Sequence, residues 1–264
     1  MVNPWLALAG FGMIAVGIGS IVIWNKHKKV KPLFYGIGFL AWFIAIFIKV
    51  VMDLTFTSSL FAVMPERYRV LVACIYYGFR TGFLESGFLY LIASKMKIKN
   101  ASFSEAVGIG IAFGAIEAVL TGVSNVADII MFSLQPELLE KIPEAQRAIV
   151  EASLNLDTIV IFAPIIERTM TLIIHVTAAV LVVLAFKRGV KYLITSIAYK
   201  SLVDGIIPLL KPLLANPTVA NYYLVEIPFI VIALASMPVL RFLSKKFGKF
   251  NKSLIGGSQR DLRV

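Results

Sequence analysis

The chain has 264 residues, 59% of them hydrophobic and 16% charged, with a formal net charge of +11 and a mean hydropathy of +0.85. Ordinary soluble domains carry about 25% charged residues; here the charges gather in short patches between long apolar runs, which excludes a soluble domain and points to membrane helices. The excess of Lys and Arg lies mostly in those short loops, where the positive-inside rule wants it, so it reads as topology and not as a nucleic-acid surface.

A crossing needs about 20 apolar residues. Such runs lie near 4–24, 33–52, 69–94, 104–129, 155–186, 191–213 and 218–240. The expectation is an all-α polytopic membrane helix bundle with about seven transmembrane helices, forming one domain over 1–243 and a basic cytoplasmic tail over 244–264. The positive cluster of the first run, Lys26, Lys28, Lys29 and Lys31, follows the apolar stretch, so this run is an anchor helix and not a cleaved leader. Further basic groups, at Lys95, Lys97 and Lys99, at Lys187, Arg188 and Lys191, and from Arg241 to Lys252, fall on alternate connections. Seven crossings place them all on one side, with the N-terminus outside and the C-terminus inside the cell membrane. The loop over 131–153 is acidic on balance, and Leu138, Leu139, Ile142 and Ile149 are spaced for one face of a short amphipathic helix. Pro164 lies inside the long fifth run, where a kink or a tilted entry is expected. Cys74 is the sole cysteine, so there is no intrachain disulfide and no cysteine cluster for a metal.

Charged groups at mid-bilayer depth cost between about 3 and 10 kcal/mol each, and persist by facing the bundle interior, pairing, or lining water. The third run holds Arg80 and Glu85, the fourth Glu117, and the fifth Glu167, Arg168 and His175. Lys200 and Asp204 lie in the sixth and Glu226 in the seventh, while the first two runs carry almost none. Gly78, Gly82 and Ser86, and likewise Gly110, Gly114, Ala118 and Gly122, recur every four residues, so Glu85 and Glu117 flank stripes on which helices approach closely. Arg168, Thr171 and His175 share a helical face. Lys200 and Asp204, four apart, can pair with each other, and Arg80 can neutralise Glu85 or Glu167. His27, in a basic loop, reads as solvated.

The order of these residues resembles the YhfC-type membrane peptidases, relatives of PrsW and of the CAAX-protease (CPBP) clan of intramembrane proteases. The resemblance rests on Gly82-Phe-Leu-Glu85-Ser-Gly87, on Phe113-Gly-Ala-Ile-Glu117-Ala118, on Glu167-Arg168 followed by His175, and on Ser201-Leu-Val-Asp204. It covers roughly 78–205, about half the chain. Where that pattern has a second Glu this chain has Ser86, and where it has histidines this chain has Phe113 and Lys200. The resemblance implies hydrolysis of a membrane-embedded peptide or protein substrate within the lipid bilayer. Glu85, Glu117, His175 and Asp204 would be the catalytic set, with Arg80, Glu167 and Arg168 in support. A general base at Glu85 acting on water needs no cofactor, and one bilayer imidazole without paired thiols is a poor zinc set. A zinc site of His175 with the three carboxylates stays open, as do two other functions: a proton-coupled transporter or ion pathway, and a non-catalytic relative that binds membrane segments.

Overall fold

The computed structural model describes residues 2–96 and 98–258, without the side chains of 99, 145 and 248–258. Lys97 and the last tail residues, 259–264, lie outside the described residues. All regular structure among the described residues is helical. The α-helices are α1 (Ala7–Lys28), α2 (Pro32–Met52), α3 (Ser58–Ala62), α4 (Glu66–Lys95), α5 (Phe103–Leu134), α6 (Glu144–Leu154), α7 (Phe162–Arg188), α8 (Lys191–Leu214) and α9 (Val219–Ser258). A π-helical turn, Asp53–Thr57, joins α2 to α3.

Local chemistry sets several of these ends. Pro32 opens α2, where its missing N–H costs nothing. Ser102 and Glu105 form a reciprocal capping box at the start of α5, with the Ser102 N–H donating to Glu105 at 2.7 Å. Gly189, at φ 101°, ends α7 in a conformation that a side chain would disfavour. Pro164 falls in the first turn of α7, just after a 3-10 turn at Thr158–Ile161, where few backbone hydrogen bonds are there to lose. The loop after α5 contains the short helix α6, and α9 runs on as helix past position 244 to Ser258.

Six helical stretches are long and apolar enough to cross a membrane: Pro4–Lys28, Pro32–Ala62, Phe103–Leu134, Thr158–Arg188, Lys191–Leu214 and Val219–Phe247. The protein is therefore a multi-pass membrane protein. The remaining long helix, α4, spans about 45 Å at 1.5 Å per residue and is less apolar because it carries Arg80 and Glu85. It lies in the same bundle, packed on α8 and α2.

Helices α5 and α7 form the centre. They pack on each other, with α1 and α2 against α5 and with α8 and α9 against α7. Ile109, Val180, Val182, Val183 and Leu184 are fully enclosed there. Close approach depends on glycine: a Cβ on Gly122 would lie 2.5 Å from the Gly10 carbonyl, so α1 meets α5 backbone to backbone. The basic connections gather at one end of the bundle, where Arg188 donates to the Lys246 carbonyl at 3.1 Å and Trp24 to that of Ser104 at 3.0 Å. The opposite end is tied by Asn3, which donates to the Leu156 carbonyl at 2.8 Å.

Candidate active site

Glu85 lies ten residues from Lys95 along α4, about 15 Å at 1.5 Å per residue, which is near mid-depth for a hydrocarbon core of about 30 Å. Its position follows from the glycines before it. A Cβ on Gly82 would collide with the Ile197 carbonyl, and one on Gly78 with that of Ser201, so α4 rests directly on the backbone of α8. Gly110 does the same for α5 and α7, where its Cβ would collide with Val176 Cα, and the Cβ of Gly114 would press on His175 Cδ2 at 3.2 Å. Both small-residue stripes thus bring acid-bearing helices against the helices that carry their partners.

Glu85 is buried between two ammonium groups. Lys49 Nζ donates to Oε1 at 2.6 Å, and Lys200 Nζ stands 2.7 Å from Oε2. The second contact has ion-pair distance without hydrogen-bond alignment, which leaves Oε2 with no aligned donor. Lys200 Nζ is also 3.3 Å from His175 Nδ1, and His175 Nε2 is 3.1 Å from Glu117 Oε2. These contacts suit one arrangement: Nδ1 accepts from the ammonium and Nε2–H donates to the carboxylate. Glu117 is held further by Arg168 at 2.6 Å and by the Trp42 indole at 3.3 Å. Arg168 also grips its neighbour Glu167. Asp204 accepts from Thr81 at 2.5 Å and lies 3.9 Å from Lys49.

These groups form one chain of contacts around a cavity of about 140 Å³. Its walls include Glu85, Glu117, Glu167, Arg168, Thr171, His175, Lys200, Asp204 and Lys49. The four residues singled out from sequence as a catalytic set therefore converge from α4, α5, α7 and α8. Arg168, Thr171 and His175 share the cavity-facing side of α7, as their spacing indicates.

Three expectations change. Arg80 pairs with Asp53 and neither with Glu85 nor with Glu167, so it lies outside this cavity. Lys200 and Asp204 do not pair; Lys200 turns to Glu85 and His175, and Asp204 to Thr81. The second run is not free of site residues, because Lys49 and Trp42 both come from α2. Lys49 sits near the end of an apolar run, where it looks like a boundary residue. The available sign was its spacing of seven from Trp42, which puts both on one helical face. His27 is exposed. Glu226 is buried on α9 with Oε2 unpartnered and does not line the cavity.

The family model described as YhfC intramembrane metalloprotease matches residues 12–229. No curated protein and no solved structure matches the chain. A catalytic metal of the kind that description implies takes about three protein ligands plus water. Among the described residues, no three His, Cys, Asp or Glu side chains are grouped to hold one. His175 and Glu117 meet, but the Lys200 ammonium stands between His175 and Glu85. A divalent ion about 4 Å from an ammonium would meet about 8 kcal/mol of repulsion at an effective dielectric of about 20. Phe113, the other position where the resembled pattern has a histidine, places its ring centroid 4.8 Å from that of His175 and offers no donor atom. The residues present do not fit a catalytic metal.

Proposed function

We propose, from the premise that the chain belongs to the YhfC family of intramembrane metalloproteases, that it hydrolyses a peptide bond in a membrane-embedded segment with water activated by Glu85. The observation that carries this reading is the cavity of about 140 Å³, which Glu85, Glu117, His175 and Asp204 all line. A water needs about 10–15 Å³ of such space, so the cavity has room for water beside a peptide carbonyl. By the positive-inside rule, the basic end of the bundle faces the cytoplasm, and α4, third in chain order, brings the six apolar spans to seven crossings.

Each Glu85 oxygen has one ammonium contact, Lys49 on Oε1 and Lys200 on Oε2, and a carboxylate oxygen keeps a second lone pair with which to accept a water O–H. As the water oxygen bonds to the carbonyl carbon, its proton passes to Glu85 and the carbonyl π electrons move onto oxygen. The ammonium groups of Lys49 and Lys200 are the cations nearest to Glu85 for that oxyanion. In other hydrolases one well-placed donor contributes about 3 kcal/mol to such a step. When the carbon–nitrogen bond breaks, Glu85 returns the proton to the leaving amine, giving one amine and one carboxylic acid. Both nitrogens of His175 are engaged, which supports an orienting role: it holds Lys200 and is itself held by Glu117. Asp204 and Thr81 fix the far side near Lys49.

The test is cleavage of a membrane-peptide library by purified protein in nanodiscs. Glu85→Gln, with its fold checked by thermal melting, should lose about a hundredfold or more in rate. Wild-type rates from that variant would remove Glu85 from the chemistry. A second reading, a non-catalytic relative that binds membrane segments, draws on one specific feature, that two ammonium groups already hold Glu85. No cleavage by a folded wild type across the library would favour it.

A further inference from the structure

We infer that Lys49 and Lys200 take the place of a metal ion in this site, as an internal pair of cations, and that the chain is a metal-independent member of its family. The inference rests on the peptidase reading only for the role of the pair in cleavage, and not for the absence of metal binding.

Three observations support it. The first is position. Lys200 Nζ lies where the Glu85 carboxylate and the His175 imidazole converge, 2.7 Å from one and 3.3 Å from the other. A zinc ion would need that same space, with ligand distances of about 2.0–2.2 Å. The second is donor occupancy. A ring nitrogen that accepts from an ammonium has no lone pair left for a metal, and the other ring nitrogen of His175 faces Glu117 at 3.1 Å. The third is charge. The walls of the cavity hold Lys49, Lys200 and Arg168 against Glu85, Glu117, Glu167 and Asp204. Three cations already offset four carboxylates, so little negative charge is left for a divalent ion. Lys49 and Lys200 are both buried, and an ammonium taken out of water is kept there by partners that need it. Here they come from opposite sides: Lys49 from α2 and Lys200 from α8, one on each oxygen of Glu85.

A carboxylate between two fixed positive charges is what a metal centre offers a hydrolase: a place for water and an electrophile for the developing oxyanion. Lysine supplies the electrophile as a donor of hydrogen bonds and not as a Lewis acid.

The experiment is zinc content and zinc titration of the purified protein in nanodiscs, for wild type and Lys200→His, with cleavage measured before and after a strong chelator. The expected results are no stoichiometric zinc and no binding heat in wild type, and one zinc bound by Lys200→His, in which the converging donors are no longer capped by an ammonium. One zinc per wild-type chain would overturn the inference. So would a folded Lys200→His that binds none. If Lys200→His does not fold, Lys49 decides. Lys49→Met should lower kcat at least tenfold with KM nearly unchanged, and Lys49→Arg should restore most of it, while equal loss in both variants would count against a cationic role. Absence of cleavage in wild type would defeat the peptidase reading and leave the zinc result to stand or fall by itself.

Discussion

Two ion pairs, one from α2 and one from the π-helical turn that continues it, connect to α4 about one helical turn apart, and they differ in depth. Lys49–Glu85 is enclosed, with side-chain exposures of 11% and 6%. Asp53–Arg80 lies at the rim, where the Asp53 side chain is 46% exposed. The residue types are alike and the sign of the charge on each helix is reversed. The inner pair is built into a cluster with Lys200, Asp204 and His175, whereas Arg80 rests on the faces of Tyr76 and Tyr77. Helix α2 also changes to π geometry at Asp53, and the inner pair lies on the regular side of that change. Burial is what separates a charge pair that organises a site from one that merely joins two helices.

The comparison can be broken by removing one partner at each depth. Lys49→Met should cost about 3–5 kcal/mol, because truncating one member of a buried pair leaves an uncompensated charge. Unfolding in detergent or steric trapping in bicelles would measure it, and a loss under 1 kcal/mol would show that Lys200 alone satisfies Glu85. Packing beneath the same site gives the next effect. Gly82→Leu forces α4 off the Ile197 carbonyl and should cost about 1–3 kcal/mol or more, with cleavage falling alongside stability. At the rim, Asp53→Asn should change stability by less than about 1 kcal/mol. A double-mutant cycle sharpens the contrast, with coupling between Lys49 and Glu85 clearly exceeding that between Asp53 and Arg80. Glu226→Gln, which removes no ion pair, should be the mildest, within about 1 kcal/mol.

Both depths also show why Lys49 escaped the sequence reading while Glu85 did not. Glu85 interrupts an apolar run with Arg80 close by and sits beside a glycine stripe, so its cost is visible in one helix. Lys49 is followed by Val50, Val51 and Met52 and then Asp53, which looks like the ordinary polar end of a crossing. Its value depends on α4 being next to α2, and no periodicity within α2 reports that. Arg80 was misplaced for the same reason: Glu85 and Glu167 were its candidate partners, but the carboxylate beside it in space is Asp53.

By itself the sequence determined the class of the molecule. Long apolar runs of about 20 residues, in a chain this poor in charge, satisfy their backbone groups within a bilayer by forming helices. It also determined which residues had to be explained, since every ionisable group within a run carries a desolvation cost that is independent of topology. Tertiary structure alone decided the pairing. A helix specifies which of its own side chains share a face, but the partner of a buried charge is set by which helix packs against that face, and here close glycine contacts between α4 and α8 and between α5 and α7 made the choice.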